Sequence, residues 1–316
     1  MVSCRRAQRK YNKRKVAKAQ SILPYPVKRI CYDTKNTGIF PAFFQPGFSL
    51  DFLITMPYYE NRWSDKKAYK VFQSKQVPLT ILDTVINKRH LHYGVCGSDS
   101  LPTLVFIHGS PGSWMNYMKY MWDEDMQKKF RIVTIDRPGF GFSNFGKAMH
   151  LQEQAAMILP VLQKLKNDQP MFLAGHSYGG PLSVKLAADD PALFETIVII
   201  AGALDIDQEA KETWRKIMNV RPLYWALPGA FGPSNTELLY LKKDLQPLRN
   251  DFTKITCKVI FVHGDKDTWV PIENVGYGSK MMTNASSIIS DTIKNADHQV
   301  PWKNRDELKA ILLKLY

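Results

Sequence analysis

Residues 175–179 read Gly-His-Ser-Tyr-Gly, directly after the apolar run Met171-Phe172-Leu173-Ala174. The run has the length and composition of a buried strand, and the small residues that follow, from Gly180 to Ala188, suit a helix. A strand that turns straight into a helix around a serine is a nucleophile elbow. The turn is so tight that the residues flanking the serine must be small, and glycine accepts backbone angles that other residues resist. The serine Oγ then stands clear of the backbone at the carboxyl edge of a sheet. A single G-x-S-x-G is common by chance, so its weight depends on the partners supplied by the rest of the chain.

Outward from the elbow, short apolar runs alternate with longer helical stretches. Strands are expected over 103–108, 131–136, 170–174, 196–201, 258–263 and 286–291, and helices over 113–128, 151–166, 180–188, 272–282 and 303–315. Ahead of them, 79–86 and 90–95 flank the turn-like Asn87-Lys88 and read as an antiparallel pair. Strand–helix alternation predicts an α/β fold, a mostly parallel twisted sheet with helices on both faces. This core covers 77–204 and 253–316. Between its two parts, 205–252 holds no strand pattern but many aromatics and prolines, the mark of a helical insertion acting as a lid. Residues 38–76 are aromatic and proline-containing and read as an extension packed on the body.

The net charge of +14 suggests a polyanion partner until it is mapped. Residues 1–36 hold eleven basic residues against the single acid Asp33, which leaves +4 for the other 280. Residues 1–37 therefore read as a basic, disordered arm that would bind anionic lipid weakly; no specific nucleic acid is expected. The body is therefore only mildly basic. Of the four cysteines (Cys4, Cys31, Cys96 and Cys257), none forms a C-x-x-C pair. No apolar signal core follows the basic start, and Pro41, Pro46, Asp51 and Pro57 interrupt 39–57 too often for a spanning helix. Met1-Val2-Ser3-Cys4 resembles the end of a bacterial lipoprotein signal with Cys4 as the lipidated residue. An ordinary cytoplasmic start reads equally well.

A serine nucleophile needs a base, an acid to orient it, and donors for the oxyanion. Position sorts the seven histidines. His90 and His92 lie two apart on the early strand pair, on an expected exposed face, with no third residue to complete a metal site. His108 and His263 end strands, His150 opens a helix, and His176 is inside the elbow. Only His298 lies in a loop after the last strand, where a base can reach over the sheet edge. The acid comes from His263-Gly264-Asp265-Lys266-Asp267, after one strand and before a helix; both aspartates sit there. Serine, acid and late histidine in that chain order suit one fold family. For the oxyanion, His108-Gly109-Ser110-Pro111-Gly112 makes a glycine-rich turn after the first parallel strand, and the donors expected are the N–H groups of Ser110 and Tyr178.

From about residue 77 to its end, the chain resembles the α/β-hydrolase superfamily. The likeness is carried by His108-Gly109-Ser110-Pro111-Gly112, by Asp136-Arg137-Pro138-Gly139-Phe140-Gly141-Phe142-Ser143, by the elbow, by the 263–267 loop with Val270-Pro271, and by His298. The resemblance implies Asp267, not Asp265, as the acid of a Ser177–Asp267–His298 triad. It gives the Asp136–Ser143 stretch a structural role only. It implies no cofactor and no metal. Because haloalkane dehalogenases and epoxide hydrolases of the superfamily carry aspartate at the elbow, the serine points away from both. The expected activity is hydrolysis of a carboxylic ester with a small or medium apolar group. A carbon–carbon hydrolase, an amidase or an acyltransferase would use the same triad, and a binding protein on the same fold is the third possibility. Trp114, Trp214, Tyr224, Trp225 and Trp269 are the candidate pocket walls for a small-molecule substrate.

Overall fold

The computed structural model describes residues 62–209 and 213–316. The basic arm, Cys4 and the aromatic stretch up to residue 61 lie outside the described residues. Helix α1 (Asp65–Ser74) is the first element described. Its Ala68 and Phe72, four residues apart and so on one face, are both buried. Phe72 meets Trp122 edge-on at 5.3 Å.

Eight strands follow: β1 (Leu79–Ile86), β2 (Arg89–Cys96), β3 (Thr103–Ile107), β4 (Arg131–Ile135), β5 (Met171–His176), β6 (Thr196–Ile200), β7 (Lys258–Gly264) and β8 (Ile288–Ile293). They form one sheet in the order β1-β2-β4-β3-β5-β6-β7-β8. β1 pairs antiparallel with β2, and β2 with β4; every later pairing is parallel. Asn87 and Lys88, both at positive φ, make the two-residue turn joining β1 to β2. β3 to β6 are buried at every position, as strands covered on both faces must be, whereas edge strand β1 alternates.

The period of two splits the core into halves. Val105, Ile107, Leu173, Ile197 and Ile199 face one cluster, shared with helices α4 (Leu151–Leu165) and α5 (Gly179–Asp189). Leu104, Phe106, Phe172, Val198 and Ile200 face the other, shared with α1 and the C-terminal helix α11 (Arg305–Leu312). β3 has β4 on one side and β5 on the other, so the chain reverses its winding between β3 and β5. Ligands bind at such a switch point, beyond the carboxyl ends of the strands.

The expected helix 113–128 is broken into a 3₁₀ turn (Trp114–Tyr117), α2 (Met118–Met121) and α3 (Glu124–Lys129). Asp123 causes the last break: its Oδ1 accepts from the N–H groups of Asp125 and Met126, capping a new start. The C-terminal helix is likewise divided, into α10 (Val300–Lys303) and α11. The last strand lies two residues later than expected, because Ile288 pairs with Val259. The interval 205–252 carries α6 (Thr213–Met218), α7 (Leu223–Ala226) and the long α8 (Phe231–Leu248). Helix α9 (Glu273–Met281) links β7 to β8. Among the described residues no helix is long and apolar enough to cross a membrane.

Candidate active site

Ser177 follows β5 at φ 55°, in the left-handed region, and its N–H donates to the Ile200 carbonyl at 2.9 Å. Close approach dictates the flanking glycines. A Cβ at 175 would stand 2.2 Å from the Gly179 carbonyl oxygen, and one at 179 would stand 2.5 Å from the Ile107 oxygen. The pentapeptide is thus the local condition for α5 to pack directly on β3 and β5.

Ser177 opens on a cleft at the switch point. Loop 109–111 forms one wall, and His176, Trp269 and His298 form the other. The cleft is shallow and partly open to solvent, too small to enclose a drug-sized ligand. Loops from the ends of β3, β5, β7 and β8 therefore bring Ser110, Ser177, Trp269 and His298 to one place.

His298 Nδ1 lies 2.7 Å from Asp267 Oδ2, and the Asp267 carboxylate is fully buried. Its Oδ1 accepts from the N–H groups of Trp269 and Val270, both at 2.9 Å. Burial alone would raise this carboxyl, but the nearby imidazoles of His263, 3.5 Å from Oδ2, and His298 outweigh it and hold it well below the usual carboxylate range. Asp267 is therefore a fixed anion that fixes the His298 ring, leaving Nε2 as the free end. Asp265, two residues away, is exposed and makes no such contact.

The wall opposite is braced from beneath. His108 is buried; its Nδ1 lies 2.7 Å from the Gly109 carbonyl, and its Nε2 accepts from the Arg137 N–H at 3.0 Å. Arg137 is fully buried. Its Nε donates to the His108 carbonyl and its Nη2 to the Gly109 carbonyl, both at 2.8 Å. The same guanidinium forks onto Glu237 of α8, Nη1 to Oε2 at 2.8 Å and Nη2 to Oε1 at 2.7 Å. Gln154 of α4 accepts from Nη1 and bonds both Glu237 and the Tyr178 hydroxyl. The guanidinium carbon also lies 4.4 Å from the centre of the Tyr178 ring. One cation therefore joins the 108–110 loop, the residue after Ser177, and the insertion. A second tie runs from Ser110 Oγ to Ser234 Oγ at 2.8 Å.

Sequence reasoning gave the Asp136–Ser143 stretch a structural role and passed over Arg137, Gln154 and Glu237. The one available signal was Glu237, the first acid after a run from Thr213 to Thr236 that has none. His92 is another correction: it is buried rather than exposed, and its Nδ1 lies 2.8 Å from the buried Asp136. Asp136 also accepts from the Trp114 N–H and so pins Trp114 in the core against Phe72. Trp114 is therefore no pocket wall. Trp214 and Tyr224 are half-buried and Trp225 is exposed, and none lines the cleft. Of the five aromatic candidates, Trp269 alone does. Among the described residues no cluster suited to a metal occurs.

His176 lies beside His298, 2.9 Å from its carbonyl oxygen through Nε2. Burial first, and the neighbouring His298 second, push its pKa down to about 3. An unfolded histidine takes its proton near pH ~6.5. Above that value neither state is protonated and His176 contributes no pH dependence. Between about 6.5 and about 3 the unfolded chain binds more protons, so stability falls as pH falls. His108, lowered by burial and by Arg137, acts in the same sense. Urea midpoints measured from about pH 7.5 to about pH 5 should decline by the equivalent of ~1–3 kcal/mol, and His176→Gln should flatten that decline.

Comparison with known proteins places the fold in a family. A family model described as the alpha/beta hydrolase fold matches residues 102–249. A Haemophilus influenzae protein named "Putative esterase/lipase" is 31% identical over 236 residues, covering 65% of this chain and 79% of that protein. Epoxide hydrolase 1 of Caenorhabditis elegans is 28% identical over 116 residues, 36% of this chain and 28% of the relative. The chain spans between 28% and 42% of the length of the first three curated relatives. Among solved structures, Cfl2 of Burkholderia cenocepacia superposes with a TM-score of 0.62 at 18% identity, over 75% of this chain and 96% of that one. That likeness speaks for the fold alone.

Proposed function

This chain belongs to the α/β-hydrolase family, and from that premise we propose that it is a serine hydrolase cleaving a carboxylic ester of a small or medium apolar substrate. Ser177 Oγ attacks the acyl carbon as His298 Nε2 takes its proton. The N–H groups of Tyr178 and Ser110 receive the charge that develops on the carbonyl oxygen. The tetrahedral species collapses, His298 returns the proton to the departing alkoxide, and an acyl-Ser177 ester remains. Water, activated by the same imidazole, then releases the acid and restores the serine. Asp267 keeps the proton of the resting ring on Nδ1 and stabilises the imidazolium that forms twice in each cycle. The insertion 205–252 acts as the lid.

The observation that carries this reading is the buried 2.7 Å contact between His298 and Asp267 on the cleft that Ser177 enters. Serine rather than aspartate at 177 supports acyl transfer over the epoxide opening named for the worm relative. The small cleft supports a small acyl group, with Trp269 as its apolar wall.

A fluorophosphonate probe tests the nucleophile and a p-nitrophenyl ester series tests the reaction. Labelling at Ser177 is expected, with turnover highest for short acyl chains and falling as the chain outgrows the cleft. An unlabelled, folded protein that turns over no ester in the series would refute the proposal.

A further inference from the structure

The insertion carries a surface unlike the rest of the molecule. Helices α6 and α7 bury none of their residues. Ile217 and Val220 are each 61% exposed, Leu223 41% and Trp225 68%. Four of the ten exposed large apolar side chains among the described residues thus fall within nine positions, a patch rather than a scatter. Cations are threaded through it: Arg215, Lys216 and Arg221, the last with its guanidinium 5.3 Å from the centre of the Trp225 ring. From Thr213 to Thr236 there is no aspartate or glutamate.

This surface is coupled to the cleft. Asn235 Nδ2 donates to the Arg215 carbonyl and Thr236 Oγ1 to Asn219 Oδ1, each at 2.9 Å. The neighbouring Ser234 is the residue that Ser110 bonds at the cleft wall.

Aliphatic side chains, an exposed indole and cations without acids match a layer that is anionic at its surface and apolar beneath. Arginine and lysine meet phosphate oxygens, tryptophan sits at the boundary, and the aliphatic groups leave water for acyl chains. We propose that residues 213–228 dock on an anionic lipid bilayer, so that the short esters reaching Ser177 are drawn from those dissolved in that layer. The substrate half of this statement rests on the serine-hydrolase reading; the docking half does not. It also differs from attachment through the basic arm, since residues 1–36 contain no tryptophan to enter a bilayer.

The test uses the full chain carrying Ser177→Ala, so that no lipid is consumed, and phosphatidylglycerol vesicles with brominated acyl chains. Bromine quenches only an indole that reaches it. Tryptophan fluorescence should fall on vesicle addition, and Trp225→Phe should remove most of that quenching. Ile217→Ser with Leu223→Ser should weaken vesicle binding about a hundredfold, the order expected when two apolar side chains no longer leave water. Quenching undiminished in Trp225→Phe, or affinity unchanged in the double serine variant, overturns the proposal. The two readings fail separately. Quenched vesicle binding by a protein that hydrolyses no ester removes the hydrolase and keeps the docking; an active esterase with no quenching removes the docking alone.

Discussion

Ser177→Ala is expected to reduce turnover of a short p-nitrophenyl ester by about 10⁶-fold, to the level left by binding and oxyanion donors alone. The reasoning is geometric. Among the described residues Ser177 is the only hydroxyl on the elbow side of the cleft, while Ser110 is committed to Ser234 at 2.8 Å. The substitution should also be structurally mild. It removes one oxygen and leaves a residue at φ 55°, a conformation that Ala201 already adopts at φ 45° in the adjoining turn. Thermal unfolding should therefore stay close to that of the parent protein while fluorophosphonate labelling disappears. Asp267→Asn should cost less, on the order of 10⁴, because the imidazole loses its enforced tautomer but keeps its place. A Ser177→Ala protein that retained even a tenth of the activity would remove the mechanism.

Glu237→Ala is expected to be the most destabilising single change outside the sheet, costing ~3–5 kcal/mol. Arg137 and Glu237 are both fully buried and joined through two bonds, so deleting the acid strands a guanidinium that cannot reach water. A buried pair owes little of its worth to net attraction, since taking two charges out of water cancels most of it. The double change Arg137→Met with Glu237→Leu should accordingly recover most of the stability lost by Glu237→Ala. It should not recover activity, because the His108 and Gly109 carbonyls lose the donors that hold the loop beneath Ser110. Urea unfolding of the three variants beside their ester turnover separates the two effects. Equal midpoints for Glu237→Ala and the parent protein would show that the pair is not closed in solution.

What could be read from sequence was what is decided locally. Gly175 and Gly179 stand next to the serine they serve, and the close approach that requires them is written within five residues. The order of Ser177, an acid at 265 or 267 and His298 was legible for a similar reason, since each ends or follows a strand; the choice of Asp267 over Asp265 came from the family resemblance alone. The break in the 113–128 helix was not, because Asp123 caps from a position that reads as ordinary helix surface. His92 sits in an alternating strand whose pattern says nothing of Asp136, 44 positions on, waiting to receive it. The tryptophans were assigned by composition or by nearness to the motifs, neither of which says which way an indole faces. Arg137 and Glu237 are 100 positions apart, and no pattern in either neighbourhood names the other.

The fork between Arg137 and Glu237 bears on how this insertion can be exchanged by recombination. Insertions between strands are ordinarily the part of such a scaffold that can be traded freely, because the sheet does not depend on them. Here α8 holds the counter-charge for a cation rooted in the core, so an insertion transplanted from a relative must bring a carboxylate at the same helical turn. Chimeras that replace α6 and α7 but keep 231–248 preserve the pairing; those that replace the whole interval break it. The outer helices are the part such an exchange can replace, and α8, although inserted, must travel with the core.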